Sequence, residues 1–419
     1  MTVDGVKELA PAAPAGRWRL LADRSVQSLI GANGVVGLAG AFVVPSVSLF
    51  LKDAVGATAL MIGLFFAARS VGEIGTDLVM GVVSDRMRDR RTVLVLTALL
   101  NAAGALCYSV LRDYWVLLLA GMVCFGLGGA CFGQLFAFTR ELAEDREVDA
   151  PFFNGILRSV TSLSWVVGPP LAFWLVAQWS FTVLYAAAAG LSLLAAAICR
   201  WGLPYLARPE RADAADAGVR GAFAGLGGRT ALLLAATVLL LGANMMYQID
   251  LSLRVTSELH LSAAFAGLLL GLSACLEIPL MIAVGTWAER IGKPRLLLAA
   301  TVCATLFFAA LPLAESRTAL LLLQLPNAFW TAVVMNIPVV MLQDALPGRA
   351  GTASSLYASA FKTGMFLGGL TVGTVATWTG YGQVFWVCAG LTAAAGLLVF
   401  LARGARGPVS HPLDEGSAA

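Results

Sequence analysis

The sequence predicts an all-α membrane protein, twelve transmembrane helices in two pseudo-symmetric six-helix bundles. Three observations predict it. Of 419 residues, 59% are hydrophobic and only 13% charged, whereas a soluble domain is about a quarter charged. Apolar runs of about 20 residues, long enough to cross a hydrocarbon core of ~30 Å as helices, recur from end to end. The chain also repeats itself at an offset of 204 residues, charges included. Gly81-Val-Val-Ser-Asp85-Arg86 returns as Gly285-Thr-Trp-Ala-Glu289-Arg290, each copy closing an apolar stretch and opening a basic loop.

Taken in order, residues 1–24 are a short tail of Ala, Pro and scattered charge. The first apolar run is too long for a signal-peptide core, and no small-residue cleavage site follows it. Spans are expected near 25–51, 58–83, 92–111, 115–139, 152–177 and 180–202. After a break they resume near 231–257, 262–284, 296–313, 318–343, 350–377 and 381–402. The break, 203–230, is rich in Arg, Asp, Ala and Gly with no apolar period, and reads as a linker. This gives an N-terminal bundle over 25–202, a C-terminal bundle over 231–402 and a tail over 403–419. The other loops are too short to hold a soluble domain.

The net charge of +3 says little, but its placement says more. Of 28 Lys and Arg, 21 fall in loops on the side of the N-terminus, and four (Lys52, Arg112, Arg254, Arg317) fall on the other. By the positive-inside rule both termini are cytoplasmic, in a multi-pass protein of the cell membrane. The remaining three, Arg69, Arg158 and Lys362, lie within spans.

Several classes are excluded or disfavoured. There is no Gly-x4-Gly-Lys-Ser/Thr phosphate loop, so ATP is not the direct energy source. Seven cysteines lie in or next to spans without a Cys-x-x-Cys pair or a His at metal spacing, and are expected as packing residues rather than ligands. His260 and His411 fall in or near loops. The expectation is a monomer that is not an enzyme, with no metal, cofactor or nucleic acid. Its partners would be the bilayer, protons and a small-molecule substrate.

The offset of 204 also carries Glu73 onto Glu277 and Arg158 onto Lys362. Each charge within a span costs ~2.5–3.5 kcal/mol on insertion scales, so such residues are functional candidates by default. Arg69, Glu73 and Asp77 follow at i, i+4 and i+8 on one stripe. Local neutralisation of Glu73 by Arg69 would make insertion cheaper; alternatively Glu73 or Asp77 exchanges a proton.

The loop Gly81-x3-Asp85-Arg86-x3-Arg90-Arg91 resembles the signature loop of the major facilitator superfamily, with Arg88 standing where that pattern has Gly. Gly285-x3-Glu289-Arg290-x-Gly292-Lys293-x-Arg295 fits as a second copy. Leu157-Arg158-x3-Ser162-Leu163-x-Trp165, running on to Gly168-Pro169-Pro170, is similar to the fifth span of bacterial sugar efflux transporters. Leu276-Glu277-Ile278-Pro279 and Pro347-Gly348-Arg349-Ala350-Gly351 resemble the same family. The resemblance implies a major facilitator fold working by alternating access, and export of sugars or glycoside-like compounds by proton antiport. A multidrug or antibiotic proton antiporter of the same fold is the alternative. A transporter-like receptor would need a long soluble domain, which this chain lacks.

In that fold spans two and eleven pack together, as do five and eight. The resemblance therefore implies inter-bundle pairs of Glu73 with Lys362 and Glu277 with Arg158, acting as a switch or as static docking contacts. Glu277, Glu73 and Asp77 are the proton-coupling candidates, and Arg158 the residue that would hold substrate. Gly81, Asp85, Arg86, Arg90, Gly285, Glu289 and Arg290 would form the gating loops. The Gly-Pro-Pro bend of span five is a mechanistic element or a packing kink. Donors, acceptors and flat rings suited to a sugar are Trp165, Asn33, Gln134, Asn244, Tyr247, Gln248, Asn327, Trp330 and Asn336. Intramembrane amides equally serve to join helices.

Overall fold

The computed structural model describes residues 23–86, 89–146, 150–206, 227–346 and 349–404. Residues 1–22, 207–226 and 405–419, the greater part of the expected tails and linker, lie outside them. Six helices form the first half. They are α1 (Arg24–Asp53), α2 (Ala59–Arg86), α3 (Arg90–Val110), α4 (Tyr114–Ala120 through a π turn at Gly121–Phe125 to Ala130–Asp145), α5 (Ala150–Gln178) and α6 (Phe181–Trp201). The second half holds α7 (Gly228–Ser257), α8 (Ala263–Ile291), α9 (Lys293–Ala310), α10 (Arg317–Ala345), α11 (Ala350–Thr379) and α12 (Tyr381–Gly404).

Among the described residues, eleven helices are long and apolar enough to cross a membrane. The twelfth, α11, has 30 residues but is rich in Gly, Ser and Thr and carries Lys362, which leaves it without an equally apolar stretch among the described residues. Helices α2, α4 and α8 run past the expected ends at 83, 139 and 284, to Arg86, Asp145 and Ile291. Apolarity marks the part of a helix that lies in lipid; backbone hydrogen bonding continues into water wherever helix formers follow.

Local chemistry sets the ends and bends. Asp23 caps α1 by accepting from the Ser25 amide at 2.7 Å; that bond, with Arg146 nearby, holds its carboxyl below the ordinary range. α1 breaks beside Pro45, and the Ser46 hydroxyl donates to the Phe42 and Val43 carbonyls beside the break. Gly292, at φ 91°, alone joins α8 to α9, a conformation that L side chains rarely adopt.

The halves repeat in three dimensions. In the first, α6 packs on α1 and α3, and α1 on α5. In the second, α12 packs on α7 and α9, and α7 on α11. Between them, α2 meets α11 and α5 meets α8. The repeat is literal at the axis, where the Ser48 hydroxyl meets that of Ser252, 204 residues on, at 3.1 Å. An ion pair is duplicated too. Arg90 at the start of α3 binds Glu141 on α4 at 3.0 Å, and Lys293 at the start of α9 binds Asp344 on α10 at 2.6 Å, each pair 51 residues apart.

At the face opposite the termini the two halves are sealed. A methyl group on Gly63 of α2 would lie 2.4 Å from the Gly369 carbonyl oxygen and 2.6 Å from the Gly373 Cα of α11. On Gly267 of α8, the equivalent of Gly63, it would lie 2.8 Å from the Pro169 carbonyl oxygen of α5. Lys52 bonds to Ser257 across the halves and lies over the Tyr381 ring at 5.5 Å. At the terminus end a methyl group on Gly155 of α5 or on Gly285 of α8 would meet nothing within 4 Å, so the close approach at Gly267 is not repeated at these two positions.

Arg254, buried on α7, holds the end of α9. Its guanidinium donates to the carbonyls of Leu311, Pro312 and Ala314 and lies 5.6 Å from the Phe385 ring centre. In the first half Arg112 serves the end of α3, donating to Tyr108, Ser109 and Leu111 carbonyls. Arg254→Leu strips charge-assisted bonds from buried carbonyls, each left unsatisfied at ~1–3 kcal/mol. A clear fall in Tm by thermal unfolding in detergent is expected, larger than for the more exposed Arg112→Leu.

Candidate functional site

Between the halves lies a cavity of about 1320 Å³, larger than the ~300–1,000 Å³ of an ordinary small-molecule site. It is lined from both halves and extends to Glu289, Lys293, Gln343 and Ser354 at the terminus ends of α8, α9, α10 and α11. With the opposite face sealed, this arrangement opens towards the termini.

The intramembrane charges converge on it. Arg69, Glu73, Arg158, Glu277 and Lys362 all line the cavity. Their pairing differs from the expectation. The Glu73 carboxylate accepts from Arg69 Nε at 3.0 Å, within α2, and Arg69 also lies 5.5 Å from the Phe125 ring centre. Lys362 crosses from α11 to donate to the main-chain carbonyl of Glu73 at 3.1 Å. An (i, i+4) arginine reaches the carboxylate without leaving its own helix, so the lysine takes the backbone oxygen instead. Arg158 and Glu277 share the cavity wall, yet no ion pair joins them among the described residues. They stand on the cavity-lining part of α5 and α8, on the terminus side of the close contacts at Gly267 and Gly271.

Glu277 ends a chain of hydrogen bonds linking α7, α10 and α8. Tyr247 Oη donates to Gln324 Oε1 at 3.0 Å, and Asn327 Nδ2 donates to Gln324 Oε1 at 3.1 Å and to Ser273 Oγ at 2.9 Å. The Ser273 hydroxyl then donates to Glu277 Oε1 at 3.0 Å. Trp330 Nε1 fixes Asn327 from the other side by donating to its Oδ1 at 3.0 Å. Because Asn327 occupies a lone pair of Ser273 Oγ, the serine's one hydrogen is free to point at the carboxylate. The acid is thus oriented by buried side chains while it faces the cavity.

Of the residues suited to a sugar, Trp165, Asn244, Tyr247, Gln248, Asn327 and Asn336 line the cavity. Three others do not. Asn33 is fully buried and donates to the Leu157 carbonyl and to Thr161 Oγ1, joining α1 to α5. Gln134 accepts from Arg90 within the first half. Trp330 is fully buried, packed 5.4 Å from Phe308, with its indole N–H taken by Asn327. Residue type marked these three, but each faces the interior of its own bundle.

Among the gating-loop residues, Gly285 and Glu289 line the cavity mouth and Arg290 is exposed beside it. Arg90 is bound to Glu141 and Gln134, within one half. The side chains of Asp77, Gly81, Asp85 and Arg86 lie outside the described residues. The sequence reading missed Asn101, Thr161, Ser162, Ser273, Thr331 and Tyr357, polar groups that also line the cavity. Ser273 carried one signal, since it stands 204 residues after Arg69. All seven cysteines are free thiols, and no cluster able to hold a metal occurs among the described residues.

The model of the Major Facilitator Superfamily matches residues 29–255 and again 232–418. This chain belongs to that superfamily. It is 36% identical to Sugar efflux transporter A of Escherichia coli (strain K12) over 86% of this chain and 92% of that one. It is 35% identical to Sugar efflux transporter B of Salmonella typhimurium, over 84% and 89%. More distant superfamily matches include Multidrug resistance protein MdtH of Salmonella typhimurium, 25% identical over 91% of this chain. In three dimensions it superposes on a point mutant of the nucleoside transporter NupG with a TM-score of 0.78, covering 90% of this chain and 99% of that one at 14% identity, a likeness of fold. The superfamily consists of transporters rather than enzymes.

Proposed function

We propose that this protein is a secondary carrier that exports sugars or glycoside-like compounds from the cytoplasm in exchange for protons, by alternating access. The observation that carries this reading is the cavity itself, sealed at one face and lined by Arg158, Trp165 and Glu277 together with neutral amides. Arg158 is exposed to it and, among the described residues, engaged by no ion pair. Its planar fork can hold hydroxyl oxygens while the Trp165 ring offers a flat face to a sugar. The relatives named sugar efflux transporters support the substrate class, and the loop charge supports a terminus face in the cytoplasm.

In this reading Glu277 takes up and releases the proton, with Glu73 and Asp77 as further acids on α2. Closing the terminus face brings the cavity-lining parts of α5 and α8 together and Arg158 towards Glu277. A protonated acid then makes a poorer partner than an ionised one, so proton binding and closure are linked. Glu289, at the cavity mouth, stands where closure takes place.

The test uses inside-out vesicles, acid inside, with a pH-sensitive dye and a panel of mono- and disaccharides, glycosides and aminoglycosides. Dissipation of the gradient by one chemical class establishes antiport and its substrate. A response to lipophilic cations alone would move the protein to the multidrug reading, which the cavity methionines Met245, Met281, Met335 and Met365 favour as adaptable lining. Silence to both, with insertion confirmed, would overturn proton coupling.

A further inference from the structure

The repeat lets the cavity wall of one half be compared with that of the other, position by position, and the two differ in chemistry. α7 follows α1 at an offset of 204, the spacing of Ser48 and Ser252. Gly40, Val43 and Val44 of α1 line the cavity, and so do their equivalents Asn244, Tyr247 and Gln248 of α7. On α10 the lining continues with Asn327, Thr331 and Asn336, whereas on α4 it consists of Phe125, Phe132 and a run of Gly and Ala. Among the described residues no hydrogen-bonding side chain of α1 or α4 lines the cavity. The first half thus presents an apolar wall and the second a hydrogen-bonding one.

The cavity also reaches further into the first half. It extends to Ala98 and Asn101 of α3 and to Ser192 and Ala195 of α6, whereas among the described residues α9 contributes only Lys293 and α12 nothing. Side-chain size supplies the reason. Arg90 and Lys293 stand 203 residues apart, as do Glu141 and Asp344, so α9 and α10 follow α3 and α4 at that offset. α12 follows α6 at 200, with Ala189-Gly190-Leu191 returning as Ala389-Gly390-Leu391. Where the first half has Val36, Ala98, Ala130 and Ser192, the second has Leu240, Thr301, Val333 and Thr392, each larger and buried. Asn101 runs the other way, with Ala304 as its equivalent, but its amide donates to the Gly128 carbonyl at 3.0 Å and so is held against α4.

The resulting recess is shallow. Ala98 and Ala195, at its floor, are 1% and 0% exposed, so the accessible surface is the wall above them. There Gly129 is exposed and Gly40, Ala130 and Phe132 are half-buried. Glycine, lacking a Cβ, lets a ligand approach the backbone closely. A flat apolar group gains by leaving water for this surface. A hydroxyl would give up its water here without a side chain to replace it.

We propose that the cavity holds its cargo in one orientation, hydroxyls against α7 and α10 and a flat apolar aglycone against α1 and α4, with Gly40, Val44 and Ala130 selecting the aglycone. The inference deepens the sugar-export reading above and rests on it. Arg158 and Trp165 agree with it, because α5 packs on α8 and α8 on α10, which places them next to the hydrogen-bonding wall.

The test is equilibrium binding of methyl and phenyl β-glucoside to the full chain in detergent, with no proton gradient. Wild type should bind the phenyl compound about tenfold more tightly, as burial of one ring face allows. Gly40→Asn with Val44→Gln copies Asn244 and Gln248, which bond to each other at 2.8 Å. A Cβ at Gly40 meets nothing nearer than Phe132 at 4.0 Å, so the exchange has room. In this double variant the ratio of the two affinities should fall to about one. Should it not fold, Ala130→Val, a copy of Val333, should lower the same ratio. The reverse exchange, Asn244→Gly with Gln248→Val, should weaken both glucosides alike and keep the ratio. Equal affinities in wild type, a ratio that survives the first-half variants, or one that moves with the second-half variant instead, would overturn the orientation and leave sugar export standing. No binding of either glucoside to folded wild type would overturn the sugar reading, and this inference with it.

Discussion

Glu277→Gln is expected to lower gradient-driven flux by up to about 150-fold, the range of a coupling energy of ~1–3 kcal/mol, while the chain inserts and folds normally. The hydrogen bonds around Glu277 make this a clean experiment. Glutamine retains an acceptor oxygen for the Ser273 hydroxyl, which donates to Glu277 Oε1 at 3.0 Å. Asn327, Gln324, Tyr247 and Trp330 therefore keep their bonds, and the contact of α8 with α10 is undisturbed. Only the ability to gain and lose charge is removed. The measurement is substrate-driven proton movement in vesicles, beside downhill flux of the same substrate without a proton gradient. Loss of the first with survival of the second marks uncoupling. Normal proton-driven flux would remove Glu277 from the coupling role and leave Glu73 and Asp77 as the acids to examine.

The spans, the two halves and the presence of charges within spans were legible in the sequence because each signal is local or periodic. Apolar runs mark helices; Arg158, Glu277 and Lys362 stand alone within such runs, and Glu73 stands between Arg69 and Asp77. What the sequence could not supply is azimuth. In a helix apolar all round, no moment distinguishes the stripe that faces the cavity from the one that faces its own bundle. Trp330 and Asn33 have the chemistry of a sugar site, and both are fully buried inside a half. The same blindness hid Ser273, whose importance depends on Asn327 lying beside it.

Partner choice was hidden for a different reason. A fixed offset of 204 found Glu73 and Glu277 but not the repeated pair Arg90–Glu141 and Lys293–Asp344, whose offset is one residue shorter. Loops of unequal length shift the register at helix ends, where these pairs sit. The direct pairs between Glu73 and Lys362 and between Glu277 and Arg158 assumed that acid and base at matched depth must touch. Arg69, one turn from Glu73 on the same helix, takes that carboxylate first. Arg158 and Glu277 both face the cavity, and among the described residues no ion pair engages Arg158 in this form of the molecule.

The second large effect is expected from a single methyl group. Gly63→Ala puts a Cβ 2.4 Å from the Gly369 carbonyl oxygen and 2.6 Å from the Gly373 Cα, and backbone cannot turn aside as a side chain can. α2 and α11 must separate, at the ~1–3 kcal/mol typical of overpacking, which shifts a two-state balance by about 5- to 150-fold. Gly267→Ala meets Pro169 and Phe173 on α5 in the equivalent place and should have a matching effect on the other seam. Both variants should populate the form open at the face opposite the termini, transport poorly, and label more readily there with an impermeant reagent. Gly75→Ala, on the same helix α2 but with nothing within 4 Å of its Cβ, is the control and should behave as wild type. Equal sensitivity of all three would mean that helix stability, not closure, responds to the methyl group. A response of Gly63 without Gly267 would mean that the two seams, equivalent by the repeat, do not bear equally on the seal.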